Sequence, residues 1–443
     1  MKGVLGWIRS HLVVVICTAV VLVSLPLGFV FSSRMNAKIR EAAEKEGNDQ
    51  LRQIQNARVT YVVPSLVPGE APVELARQAP NAALTAWVKE QRDRREAEAS
   101  GVMRRALEFN RRDHAPLVQG LFPDPPRNDP TRELRLKGEL LTLLAGGTGP
   151  DQESAYAALF REIGAGSPPS PEVVYERVRD VEERERERLL ADSPSGQLTV
   201  EQQAKLTEQL VNRRIGEYQR RAREISVYAD MTCLDRTGFD KRSSLLPPPR
   251  APEVQSGELS HIAEFFQWQW DYWIVRDLLA AVERANTTAD GERLDVEHAV
   301  VKRVEKISIE ELPLYGDARL PRLSGAQGSV PLDPSISVTG RTSSETNKLY
   351  DVRRAKMTIV VSSERLPVFL DALAQTNMIT VLSVNLSEVD VWGDLQKGYF
   401  YGREPVVRVE LELETLWLRS WTGPLMPAAV RQRFGVELTD QPG

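Results

Sequence analysis

The chain has 443 residues, 42% hydrophobic and 27% charged, which are ordinary proportions for a polypeptide with a packed core and exclude a wholly disordered protein. Its 57 Lys and Arg against 62 Asp and Glu give a formal net charge of −5, so nothing in the overall charge favours nucleic acid as the main partner. Two cysteines exclude a disulfide-rich scaffold, and four scattered histidines give little material for histidine-based metal or acid–base chemistry.

Residues 1–11 read as a short cytoplasmic tail and Leu12 to Phe31 as a transmembrane helix. The run LVVVICTAVVLVSLPLGFVF holds no charge, and about 20 apolar residues at about 1.5 Å each cross a hydrocarbon core of about 30 Å. It is longer than the apolar part of a cleaved signal, and Leu25-Pro26-Leu27-Gly28-Phe29 is not a small-x-small cleavage site. Positive charges flank both ends, so the charge rule does not orient the helix, but a tail this short favours everything after Arg34 lying outside. Cys17 falls in this run and Cys233 far beyond it. They read as two unpaired thiols, with an intermolecular disulfide as the sharper alternative.

Residues 32–240 read as a helical and coiled-coil periplasmic region with Pro-rich loops. Arg34 to Arg58 continues the membrane helix as a polar stalk, with Met35, Ile39 and Ala42 on one stripe, until Pro64, Pro68 and Pro72 break it. A second helix is expected from Leu84 to Phe109. Gly146-Gly147-Thr148-Gly149-Pro150 lacks the Lys-Ser/Thr of a phosphate loop. Glu172 to Leu190 alternates Glu and Arg as a solvated helix does. Val211, Ile215, Tyr218, Ala222, Ile225 and Ala229 follow at spacings of 4, 3, 4, 3 and 4, the a/d alternation of a heptad seam, and Thr199 with Gln202 forms a capping box before it. The seam serves either a partner helix or packing within the chain. Met231 to Asp240 reads as a loop held by local ion pairs, its spacing matching no calcium loop. Leu246 to Pro252 makes residues 241–258 a stiff Pro-rich linker.

Residues 259–421 have the pattern of an α+β domain, followed by a C-terminal tail, 422–443. Ser260 to Asn286 is an apolar helix, with Ile262, Phe266, Trp270, Trp273, Ile274 and Leu278 on its broad buried face. Its many aromatics could instead form a ligand box. Strands follow at His298–Ile309 and Ala355–Ser362, separated by a polar insertion from Pro313 to Asn347. A helix on Leu366, Phe369, Leu370 and Leu373 comes next, with Ser363 before it and Asn377 after it, then strands at Met378–Val391 and Val407–Leu413. Val407, Val409, Leu411 and Leu413 alternate with Arg408, Glu410, Glu412 and Glu414, so one face meets a core and the other meets water. Helix, two strands, helix, two strands gives a ferredoxin-like sandwich, two helices on one face of a four-stranded antiparallel sheet. We find no HExxH, GxSxG, CxxC or nucleotide fingerprint, and a Cys233–His261 pair has no supporting motif, so no catalytic residue, cofactor or metal is expected and the chain reads as a non-enzyme.

The order of Leu12–Phe31, the seam Val211–Ala229 and the terminal pattern Ser260–Trp417 resembles the PilO family of type IV pilus inner-membrane alignment proteins, and the GspM proteins of type II secretion share that plan. The resemblance covers the two ends of the chain, and residues 60 to 195 exceed what such proteins carry. It implies a single-pass protein of the bacterial inner membrane with most of the chain periplasmic. It also implies a scaffold that dimerises with itself or with a PilN-like partner and serves a pilus or secretion platform. The competing function is a membrane-tethered sensor or ligand-binding module built on the aromatic domain.

Overall fold

A computed structural model describes residues 11–56, 58–63, 71–78, 81–125, 129–146, 153–191, 197–235, 262–310 and 349–436. The chain divides into two compact units at Arg104/Arg105.

In the first unit the apolar run and the polar stalk form one continuous helix, α1 (Leu12–Asn56). Forty-five residues make about 67 Å of helix, over twice a hydrocarbon core, so the polar half prolongs the span without a break. Among the described residues this is the one helix long and apolar enough to cross a membrane. Thr18 and Ser24 donate their hydroxyls to the carbonyls of Val14 and Val21, which satisfies the polar atoms of the apolar run. Beyond it lies an antiparallel hairpin absent from the sequence reading, β1 (Val59–Val63) and β2 (Val73–Gln78). The β-branched run VTYVV is its signal. Tyr61 and Val63 pack with Val88 of α2 (Ala82–Arg111), and the Tyr61 hydroxyl lies 2.9 Å from that of Thr85.

The second unit is built on a six-stranded mixed sheet in the order β3-β4-β5-β6-β8-β7. Four strands are long and wholly antiparallel: β5 (Val301–Ile309), β6 (Tyr350–Ser362), β7 (Ile379–Glu388) and β8 (Val406–Leu418). The alternation in β8 does what its pattern requires. Val409, Leu411 and Leu413 enter the core beside Ile359, Met357 and Ala355 of β6, and Glu410 and Glu412 stand on the opposite face beside Thr358 and Lys356. The sheet departs from four strands at the β5 edge, where two parallel two-residue strands are added, β3 (Ala165–Gly166) and β4 (Val227–Tyr228).

Two helices cover the core face, α7 (Ile262–Ala285) and α8 (Leu366–Thr376). The expected Ser363 cap is instead a single 3-10 turn over Ser363–Arg365, and the Asn377 N–H closes α8 on the Leu373 carbonyl. α7 is buried on nearly all sides because a third layer lies over it, which is why it is apolar around its whole circumference. That layer contains α3 (Pro130–Ala145), capped by Asp129, and α4 (Ala155–Glu162), capped by Ser154. Phe122 meets Phe266 edge-on at 5.5 Å, Tyr156 meets Tyr272 at 5.5 Å, and Lys137 lies 5.5 Å over the Phe265 ring. The middle of the chain thus supplies core, where the sequence suggested a helical region separate from the sheet domain. The linker 241–258, the insertion 313–347, the second half of the loop Met231–Asp240 and the tail beyond 436 lie outside the described residues.

Candidate partner interface and the polar sites around it

The two charged helices form an antiparallel hairpin, α5 (Pro171–Ala191) packed along α6 (Val200–Glu224). Thr199 and Gln202 cap α6 reciprocally, as the sequence requires. Glu217 is buried at the hairpin base and meets three arginines, Arg177 of α5 at 2.7 Å and Arg213 and Arg220 of α6 at 3.1 and 2.7 Å. Burial pushes its carboxyl up, but the hydrogen bonds from Arg220 and Arg177 outweigh that and hold it below the ordinary carboxylate range.

The seam residues do not lie on one helix. Val211, Ile215, Tyr218 and Ala222 belong to α6, which stops at Glu224, whereas Ile225 turns extended (φ −127°, ψ 158°) and Ala229 lies beyond β4. Competition from the sheet ends the helix. The Val296 N–H donates to the carbonyls of both Ala222 and Ile225 at 3.0 Å, and Ser226 donates to Gly164 at 2.8 Å, which leads the chain into β4. Ala222 and Ile225 pack with Tyr228, Val296, Val360 and Tyr401, and Ala229 joins the main core. Tyr218 is buried and accepts a hydrogen bond from Arg214 Nε at 2.7 Å. Val211 is left 50% exposed and Ile215 half-buried, in company with exposed Val173, Tyr175 and Val200 on the same hairpin. The seam pattern therefore mixes a buried base with an open upper part.

The base is fixed by the loop between β7 and β8, which contains a short helix, α9 (Val391–Gln396). Arg214 donates to the Gln396 carbonyl at 3.2 Å. Gly402 has φ +85°, and a Cβ there would come within 3.1 Å of the Glu297 backbone, so the close approach needs glycine. Arg303 stacks 3.8 Å over the Tyr399 ring and lies 3.5 Å from Asp394, which accepts the Tyr401 hydroxyl at 2.9 Å. Burial raises the Tyr228 phenol to about 12 and drives Tyr401 up as well. Lys302, fully enclosed, donates to the carbonyls of Val296 and Glu297, and its burial lowers the ammonium's pKa against the opposing pull of Glu404. These ionisable groups are tied to one another and hold loops together.

A second polar centre was not visible in the sequence because its members come from four distant segments. His114 Nε2–H donates to Asp277 at 3.1 Å, and the same carboxylate oxygen accepts from Asn377 at 2.7 Å. Asn377 in turn accepts from Asn110, whose own oxygen takes the Leu418 N–H and the Trp421 indole. The His114 ring stacks near Trp273 and Trp417, 6.0 and 5.5 Å away. Beside it is a cavity of about 150 Å³ lined by Arg112, His114, Glu162, Arg276, Asp277 and Glu283, among others. A carboxylate–imidazole pair can hold or move a proton, but the lining offers no Ser, Thr, Cys or Lys to act as a nucleophile beside it. Cys233 is buried elsewhere, its thiol raised to about 12 by burial, and His261 lies outside the described residues. Asp295, Glu297 and His298 bring carboxylate and imidazole atoms close together. Arg223 pairs with Glu297 at 2.8 Å and His298 is hydrogen-bonded to Asp295 at 2.7 Å, so the members of this cluster are already engaged by their neighbours.

No protein-family model and no curated protein matches the chain. Among solved structures, a protein from Akkermansia muciniphila aligns at 10% identity and a TM-score of 0.21, over 38% of this chain and 60% of that one. The type 4 fimbrial biogenesis protein PilO from Pseudomonas aeruginosa aligns at 13% identity and a TM-score of 0.14, over 26% of this chain and 55% of that one. The chain thus spans less than two thirds of each, and similarity at this level carries no argument about its function.

Proposed function

We propose that the protein is a non-enzymatic envelope scaffold, anchored by α1, that assembles or aligns an inner-membrane complex of the type IV pilus or type II secretion kind. The observation that carries this reading is the α5–α6 hairpin. Glu217 ties its two helices together, Arg214 and Ala222 seat its base on the rest of the second unit, and farther along α6 Val211 and Val200 stand exposed to solvent. A rigid, charged helical pair with unpaired apolar positions suits a partner helix of similar design, for which a PilN-like membrane protein is the candidate. The element order α7-β5-β6-α8-β7-β8, with antiparallel neighbours β5-β6-β8-β7, supports reading this part as a ferredoxin-like sandwich enlarged by β3 and β4.

The cavity beside His114 and the placement of the aromatics do not favour the ligand-binding alternative. Ligand sites usually enclose about 300–1,000 Å³, against about 150 Å³ beside His114. The aromatics that suggested a box, Phe265, Phe266, Trp270 and Trp273, are packed into the core. The test is purification of the tagged full-length chain from detergent-solubilised native membranes, with mass spectrometry of what accompanies it. A PilN-like protein and a platform component are expected. Recovery with a bound small molecule and no membrane partner would overturn the scaffold reading.

A further inference from the structure

We infer that strand β7 is a self-pairing edge, through which a second copy of this chain adds its own β7 antiparallel to the first and makes one continuous sheet. The two ends of the six-stranded sheet differ. One is closed by the two-residue strand β3, a length that blunts an edge. The other, among the described residues, is β7, ten residues, ITVLSVNLSE, with one charge, no lysine, no proline and a single irregularity between Val381 and Ser383, which leaves its second half regular.

The side chains of β7 show the same incompleteness. Val384 and Leu386 pair with Leu411 and Val409 of β8, which places them on the core face, yet they are 40% and 60% exposed. The cause is length. The eleven residues of α8 run about 16 Å, whereas the ten of β7 run about 33 Å, so the strand outruns the helix that covers it. Val391 follows with 42% exposure and Trp392 with 76%, which adds a large apolar anchor just past the strand.

A second copy fits this surface better than an unrelated peptide. In an antiparallel self-pair, the uncovered second half of one strand lies beside the helix-covered first half of the other, so each copy supplies the layer the other lacks. A two-fold axis at Val384 or Asn385, C-terminal to the irregularity between Val381 and Ser383, keeps Glu388 away from its own copy, so the pair meets no like-charge penalty. The contact is isologous and closes at two copies. Anchoring both copies in one membrane, which rests on the scaffold reading, raises their effective concentration.

The experiment is a cysteine scan on the full-length chain in native membranes, in a background with Cys17→Ala and Cys233→Ala. Single cysteines replace Ser383, Val384, Asn385 or Leu386, with exposed Lys89→Cys as control. After mild oxidation, the dimer yield should peak at one strand position, fall away on both sides and stay low at Lys89. Adding Leu386→Lys to a peak at Ser383, Val384 or Asn385, or Val384→Lys to a peak at Leu386, should lower it about tenfold, both positions being exposed enough to accept the change. A flat profile equal to the control, or an adduct to a different protein in place of the dimer, overturns the inference. A cysteine at Val211 in the same membranes reports separately on the hairpin. Adducts there with none on β7 sink the self-pairing edge alone, and a β7 dimer with no partner at Val211 sinks the hairpin reading alone.

Discussion

Glu217 shows how one side chain decides whether two helices stay together. Its carboxyl is buried and bound by Arg177, Arg213 and Arg220, and its folded pKa lies below the unfolded one. A depressed carboxylate contributes stability that is fully present above the unfolded pKa of about 4.3 and is lost as pH falls through the folded value. The three arginines are about half exposed, so Glu217→Gln should cost only about 1 kcal/mol at pH 7. The gap between the two proteins in denaturant melts should begin to narrow as pH falls below about 4.3 and close once it is below the folded value. Cys233 makes the opposite kind of statement. Buried, with its thiol raised to about 12, it should resist iodoacetamide at pH 8 in the folded chain and react once urea unfolds it, measured by mass shift in a Cys17→Ala background. Neither environment was readable from spacing. The partners of Glu217 include Arg177, 40 residues away, and the Asp277–His114 pair spans 163, so only folding brings them together.

At the scale of elements, strong periodicity carried over and its boundaries did not. The alternation of Val407–Leu413, the apolar stripe of Leu366–Leu373 and the Thr199–Gln202 cap all appear where their patterns place them, because each is a local rule. The heptad seam overran, since a 3.5-residue spacing says nothing of a strand waiting to capture the chain at Ile225. The short strands β3 and β4 were missed because two residues give no pattern, and the hairpin β1–β2 because VTYVV alone is a short run beside a proline-rich segment. The split seam separates two kinds of mutation. Ile225→Asp buries a charge in the cluster of Tyr228, Val296 and Tyr401 and should lower stability by about 3 kcal/mol or more. Val211→Asp, at a half-exposed site, should shift the same thermal melt by no more than about 0.5 kcal/mol while weakening partner binding. A substitution at Val211 therefore probes association, whereas one at Ile225 probes folding.

At the scale of the whole molecule, the long middle of the chain completes the core. Leu121, Phe122, Leu140, Leu144, Tyr156 and Leu159 share one apolar cluster with α7 and the sheet. A fragment of residues 256–421 would leave the outer side of α7 bare, so it should aggregate or lose its tertiary signal, while residues 105–443 should give a cooperative melt by circular dichroism and tryptophan fluorescence. The sequence pattern separated these regions because the Pro- and Gly-rich segments between them look like linkers, whereas the apolar residues on either side are one core. The central claim is that the anchored chain works by holding a membrane partner on the α5–α6 hairpin. A photo-reactive amino acid at Val211 of the full-length protein, irradiated in native membranes and followed by mass spectrometry, tests this most directly. One dominant adduct with a membrane protein of similar plan, lost when Ile215 is also changed to Asp, is the predicted result. No adduct, or a scatter of unrelated proteins unaffected by that change, would contradict it.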